Sequence, residues 1–238
     1  MNLLLLRDDD FTGPETVRLA GRRARHAHEV LRASHGASLR VGRLGGLVGL
    51  GEVLRAEPEL LELRVSLTDP PPPRARADLL LAIPRPKALK KVLPAAASLG
   101  VGRVVLLNAA RVEKSYFDSK VLAPAFVEEL LVLGLEQARD TVLPEVLVRD
   151  RFRPFVEDEL PSLFSGARKL LPHPAAEGPM PTLGAEEPAA FAVGPEGGWV
   201  PFEVDLLRAA GFQPFTLGPR VLRVEVCVPY LLGAKVRP

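Results

Sequence analysis

Two short glycine loops in the last fifth of the chain carry the residue types best suited to chemistry: Gly194-Pro195-Glu196-Gly197-Gly198 and Leu217-Gly218-Pro219-Arg220. Each follows an apolar run that reads as a β-strand. In an open parallel sheet, ligands bind outside the carboxyl ends of the strands, where loop N–H and C=O groups can meet them. Glycine there lets a ligand come close to the main chain. Neither loop matches the phosphate cradle G-x-x-x-x-G-K-[ST] or the dinucleotide fingerprint G-x-G-x-x-G. The pattern suits a ligand read along its edges by backbone groups, such as an adenine, better than one gripped by its phosphates. Taken singly, each loop reads first as a tight strand-to-helix turn.

Directly after the second loop stands Leu222-Arg223-Val224-Glu225. A guanidinium offers a fixed fork of donors to a planar anion, so Arg223 is the candidate stabiliser of charge developing on a reacting group. Its alternative roles are a salt bridge to Glu225 or a contact between subunits. Glu225 can accept a proton or orient Arg223, and the second is favoured because a carboxylate needs burial to become a good base near neutrality. Glu196 reads as structural, His173 as a loop residue and Cys227 as a small core residue. One cysteine excludes an intramolecular disulfide, and the four histidines lack metal-site spacing. A metal-free protein of a reducing, cytoplasmic compartment is the expectation.

The net charge of +2 conceals an uneven distribution. From Arg18 to Arg43 there are seven arginines and three histidines against a single acid, Glu29. Such a field attracts polyanions, which makes Arg22, Arg25 and Arg32 candidate contacts to a polyanion such as a nucleic acid. Equally, the stretch is a solvated face whose counter-charges come from elsewhere in the fold.

The elements that would position these groups change character along the chain. Short Val- and Leu-rich segments (2–7, 39–43, 47–54, 60–67), separated by glycine-containing turns, predict a small β-barrel or sandwich. A helix over 23–33 interrupts it, with Ala27, Val30 and Leu31 facing inward. Asp69-Pro70-Pro71-Pro72-Pro73 can join neither a helix interior nor a central strand. Beyond it, strands (78–83, 103–107, 146–148, 169–171, 189–193, 214–217) alternate with helices (86–99, 119–140, 201–210) and a last apolar segment, 222–234. That rhythm predicts a mainly parallel sheet covered on both faces. The expected division is 1–69, a proline-rich linker 70–77, and 78–238. No apolar run reaches the ~20 residues of a membrane span.

Taken together, the two loops and the Leu222-Arg223-Val224-Glu225 stretch resemble the RsmE family of the SPOUT superfamily. Members carry a G-P-E-G-G loop and then L-G-x-R-[IV]-L-R-x-E close to the C-terminus, and both are present. Weaker echoes are His28-Glu29-Val30-Leu31-Arg32, Leu99-Gly100-Val101, Arg111 and Glu136-Gln137-Ala138-Arg139. The resemblance implies an N-terminal PUA-like β-barrel followed by a SPOUT α/β domain with a C-terminal trefoil knot, a homodimer, and methylation of N3 of a uridine in 16S ribosomal RNA of the small ribosomal subunit. It implies S-adenosyl-L-methionine as cofactor, held among Gly194, Pro195, Glu196, Gly197, Gly198, Leu217, Gly218 and Leu222. The chain departs from the family where L-R-T-E-T-A has become Leu222-Arg223-Val224-Glu225-Val226-Cys227. It departs again where K-a-x-E-L-G-V has become Ala95-Ala96-Ala97-Ser98-Leu99-Gly100-Val101. A catalytically silent RNA-binding protein on the same scaffold is therefore the competing expectation. An unrelated α/β enzyme with a nucleotide cofactor lacks the fingerprints it would need.

Overall fold

A computed structural model describes residues 2–236. The chain forms two compact units, one reaching to Pro73 and also including Val132–Leu143, the other made of Arg74–Leu131 and the residues from Pro144 onward.

The first unit is built on a six-stranded sheet, with the helix Gly21–Glu29 and the end of the helix Pro124–Ala138. Its strands are β1 (Leu4–Leu6), β2 (Phe11–Gly13), β3 (Thr16–Ala20), β4 (Ser38–Arg43), β5 (Val48–Glu57) and β6 (Leu60–Asp69), in the order β1-β4-β5-β6-β3-β2. Only β1 and β4 pair in parallel. Alternation decides which face is buried: Leu61, Leu63 and Val65 of β6, and Val17 and Leu19 of β3, point into one cluster with Leu4, Leu6, Val41 and Val53. The β2–β3 hairpin has no counterpart among the segments read from sequence, because its buried residues are only Val17 and Leu19.

Helix α1 (Gly21–Glu29) lays Ala24 and Ala27 on this cluster. The expected helix over 23–33 is shorter and begins earlier. Val30 is its C-cap and is 63% exposed, contrary to the inward orientation expected of it, whereas Ala27 and Leu31 do pack inward. Arg32, at φ 50°, lies in the left-handed region, which no helix residue can occupy.

The second unit contains β7 (Ala77–Ala82), α2 (Pro86–Ser98), β8 (Arg103–Leu107), α3 (Lys114–Phe117) and the start of α4 (Pro124–Ala138). It continues with β9 (Glu145–Arg149), α5 (Phe152–Pro154), α6 (Leu160–Leu163), β10 (Arg168–Pro172), β11 (Ala189–Val193), α7 (Pro201–Ala209), β12 (Gln213–Phe215) and α8 (Val224–Lys235). The sheet order is β12-β10-β11-β7-β8-β9 and every pair is parallel. Central β11 is buried throughout, and Leu79–Ala82 of β7 beside it likewise, as a sheet covered on both faces requires. The α/β class with a mainly parallel sheet is thus what the alternating pattern predicts.

Two helical readings need correction. The single helix expected over 119–140 is a 3-10 turn, Lys120–Leu122, followed by α4. Pro124 forces the break, since a residue before proline is driven to extended geometry and Ala123 adopts φ −60°, ψ 131°. Arg139, at φ 61°, marks the other end. Phe152–Leu163, unassigned from sequence, is helical, with a π-helical run over Phe155–Glu159 between α5 and α6.

Candidate functional site

At the carboxyl ends of the parallel strands, the loops following β10, β11 and β12 enclose a cavity of about 600 Å³. Its wall comprises Pro172–Ala175, Val193–Trp199 and Thr216–Val224, with Cys227 from α8, Arg85 from the turn after β7 and Arg111 from the turn after β8. That volume lies within the range of small-molecule sites. The place is the one sheet topology favours, because β11 and β7 are neighbours from which the chain runs to opposite sides.

The first loop is held by hydrogen bonds from outside itself. Glu196 accepts from the Arg85 backbone N–H at 3.1 Å and from Arg85 Nε at 3.0 Å. This bond and the charge behind it raise the guanidinium pKa of Arg85 further. Arg111 donates Nη1 to the carbonyl of Gly197. Glycine at 197 leaves room for this bond, since a Cβ there would stand 3.1 Å from Arg111 Cδ and the Arg111 side chain would have to shift by a few tenths of an ångström.

Below the loop, Pro201 opens α7 and the buried Glu203 accepts from Val200 N–H at 2.9 Å and from Ala110 N–H at 2.7 Å. One carboxylate therefore satisfies the start of α7 and fixes the turn carrying Arg111. Sequence reading passed over Glu203, although proline at the first helical position with glutamate two residues later is a helix-start signature.

The second loop turns on Gly218, at φ 97°, where a side chain would be strained. Thr216 Oγ1 accepts from Gly218 N–H at 3.1 Å and stabilises the turn. Arg223 is the N-cap of α8, and its carbonyl accepts from Val226 N–H at 2.9 Å and Cys227 N–H at 2.8 Å. The backbone under its side chain is thereby fixed.

All eight loop residues singled out from sequence line this one cavity, and so does Arg223. Glu225 does not. It lies on the first turn of α8 with its carboxylate 4.0 Å from Lys91 Nζ of α2. Arg22, Arg25 and Arg32 belong to the other unit. Sequence reading had set Arg85, Trp199 and Thr216 aside entirely.

Electrostatically the wall is cationic: Arg85, Arg111, Arg220 and Arg223 face a single carboxylate, Glu196, which Arg85 occupies. Arg220 and Arg223 are exposed, with no acid within 4 Å among the described residues. Burial pushes the Cys227 thiol up to about 11, so it is a neutral thiol near neutrality and a poor nucleophile. Val224, where the resembling family has threonine, is buried against the cavity and presents methyl groups. Among the described residues no cluster of His, Cys, Asp or Glu could hold a metal ion. No helix among the described residues is long and apolar enough to cross a membrane.

This arrangement can bind a ligand of cofactor size through backbone edges and present unpaired guanidinium groups to an anion beside it. The whole chain is similar to known proteins. The chain is 28% identical over 231 residues to the ribosomal RNA small subunit methyltransferase E of Treponema pallidum, covering 94% of this chain and 86% of the relative. It is 24% identical over 229 residues to the ribosomal RNA small subunit methyltransferase E 1 of Borreliella burgdorferi, covering 94% and 93%. Among solved structures, that of the ribosomal RNA small subunit methyltransferase E of Neisseria gonorrhoeae bound to S-adenosyl methionine superposes with a TM-score of 0.77 at 22% identity, covering 98% and 96% of the two chains. The model of the RNA methyltransferase domain matches residues 70–235. The chain belongs to the RNA methyltransferase domain family, and the RsmE resemblance of its two loops extends over nearly its whole length.

Proposed function

We propose that this protein transfers the methyl group of S-adenosyl-L-methionine to N3 of a uridine in 16S ribosomal RNA, as naked RNA or within the small ribosomal subunit. The observation that carries the reading is the joining of both glycine loops and Arg223 in one cavity. The cofactor's adenosine half rests among Gly194 to Gly198, Leu217, Gly218 and Leu222, held by backbone groups. The transfer is a direct displacement. The uracil N3 bonds to the methyl carbon, the carbon–sulfur bond breaks, and S-adenosylhomocysteine leaves. The N3 proton passes to an acceptor, and the charge spreading over O2 and O4 calls for a cation.

Arg223 is that cation, supported by its fixed position as N-cap and by its lack of a carboxylate partner. Glu225, facing Lys91 outside the cavity, is better suited to orienting than to accepting the proton. Arg22, Arg25 and Arg32 of the first unit are the further candidate RNA contacts, of which Arg22 and Arg25 share their charge with Glu136 and Glu59.

The same reading includes a PUA-like barrel for the first unit, a trefoil knot through the C-terminal loops, a cytoplasmic location and a homodimer. The half-exposed apolar pair Val226 and Tyr230, one turn apart on α8, supports the dimer. The competing reading, a silent RNA-binding protein, draws on Val224, which replaces a hydroxyl in the cavity wall. Methyl transfer from labelled cofactor to unmodified 16S RNA decides between them. Incorporation mapped to one uridine N3 is the expected result, and cofactor binding without incorporation would leave the silent reading.

A further inference from the structure

Between Arg85 and Lys120 the sequence carries eight cations and only two acids, Glu113 and Asp118. The structure places most of these cations on one side of the second unit. Lys87, Lys90 and Lys91 are three and four residues apart and so share the outer face of α2, while Ala88, Leu89, Val92, Leu93, Ala96 and Ala97 fill its buried face. The face begins at the cavity, because Arg85, the N-cap of α2, is part of the cavity wall.

Two other elements extend it. The 3-10 turn carrying Lys120 packs on α2, and the ammonium of Lys90 stands 5.3 Å above the ring of Phe126 in the first turn of α4. Lys114 opens α3, whose Tyr116 is close enough to Arg85 and Glu196 for each to affect its hydroxyl. The ion pairs of this region are Arg85 with Glu196, Lys91 with Glu225, and Arg103 with Asp78 and Glu145. Lys87, Lys90, Lys114 and Lys120 are exposed, with no acid within 4 Å among the described residues.

We propose that this lysine face is the track along which the phosphodiester backbone of the substrate RNA lies as its target base enters the cavity. The proposal rests on the reading of the cavity as an RNA methyltransferase site and adds where the strand is gripped. Lysine suits the task, since an ammonium is a mobile point charge that meets phosphate oxygens without demanding a planar partner. Such contacts fix register and orientation and carry no sequence information. Four unpaired ammonium groups starting at the cavity rim would hold the strand next to the reacting atoms, where misplacement harms transfer most.

The test is a variant with Lys87→Gln, Lys90→Gln, Lys114→Gln and Lys120→Gln. Its affinity for transcribed, unmodified 16S RNA is measured against salt, and its S-adenosylmethionine affinity by calorimetry. Each phosphate neutralised contributes roughly 0.7 to 0.9 to the slope of log affinity against log salt, so the slope is expected to flatten by about 3. Cofactor affinity should stay at the wild-type value, and the fourfold lysine-to-arginine variant should keep the steep slope. An unchanged slope in the glutamine variant overturns the proposal. So does a slope that disappears only on replacing Arg22, Arg25 and Arg32 by alanine. Failure of the function reading is a different result: the wild-type chain would neither bind S-adenosylmethionine nor methylate RNA, whatever its salt slope.

Discussion

The arginines of the N-terminal unit and the cations around the cavity are alike in sequence and differently placed in the fold. Between Arg18 and Arg43, Arg18 meets Glu62, Arg22 Glu136, Arg23 Asp10, Arg25 Glu59 and Arg43 Asp8. Most of those carboxylates come from distant positions, invisible to a count of local charge. Around the cavity, Lys87, Lys90, Lys114, Lys120, Arg220 and Arg223 keep their charge unshared among the described residues. A dense basic stretch is thus no evidence of a polyanion site until its counter-charges are located. In that stretch Arg32 and Arg40 are the only arginines with no acid within 4 Å among the described residues, so the sparser basic region has the more unshared charge to offer.

Removing one cation from each side of this contrast should give opposite results. The largest effect is expected at Arg223. Its replacement by alanine should lower the methyl-transfer rate by about 2.7 to 4 kcal/mol, the scale of losing one preorganised donor to a developing anion, with cofactor affinity kept. Lysine there should restore little, because it cannot span two oxygens. Dissociation of a dimer by Arg223→Ala, with chemistry per site intact, would make the residue architectural.

On the paired side, Arg23 holds Asp10 through two hydrogen bonds of 2.6 and 2.7 Å and donates to the Leu5 carbonyl at 3.0 Å. Arg23→Ala leaves the buried Asp10 uncompensated and should cost about 3 kcal/mol in urea unfolding while leaving the salt slope of RNA binding untouched. A flattened slope with full stability would reverse the assignment of that arginine.

Intermediate effects are expected in the loops. Gly218→Val imposes a left-handed conformation on a β-branched residue, a strain of about 1 to 3 kcal/mol, and should weaken S-adenosylmethionine by up to the corresponding factor. Trp199, the only tryptophan of the chain, is 5% exposed and lines the cavity, so its emission offers the titration signal. Undiminished affinity in Gly218→Val would place the cofactor elsewhere.

The smallest effect concerns Glu136, whose buried carboxylate lies 3.9 Å from the guanidinium of Arg22. Burial raises its pKa against the weaker pull of Arg22. The native state then holds its proton more tightly than the unfolded chain, so the group's contribution to stability falls as pH rises through the carboxylate range. Glu136→Gln should raise the melting temperature slightly at pH 7 and leave it unchanged below about pH 4, where the wild-type carboxyl is protonated too. A variant less stable at pH 7 than the wild type would show that the charge is compensated.

The two-sided burial of β7 and β11 was legible because it demands unbroken apolar runs, Leu79 to Ala82 and Ala189 to Val193. The cavity loops were legible because their glycines mark close packing, as of Gly197 against Arg111, and a positive φ at Gly218 that leaves few alternatives to glycine. What escaped depended on tertiary partners. The role of Glu203 emerges only once Ala110 is brought to it, and that of Arg85 only once Glu196 is. The break before α4 was legible in Pro124, which a single helix over 119–140 leaves without effect. Val30 was misplaced because the helix ends one residue before it, so its nominal position on a helix face had no meaning.

The first unit is interrupted in the chain, since Val132–Leu143 belongs to it and lies well beyond Pro73. During synthesis at roughly 5 to 20 residues per second, the ribosome takes on the order of 4 to 14 s to make the residues from Arg74 to Leu143. For that interval the nascent sheet lacks the segment carrying Glu136 and Thr141, whose backbone carbonyls accept from Asn2 and Gly45. The N-terminal unit therefore cannot finish folding as it emerges. It must wait, partly assembled, for more than half of the chain to be made.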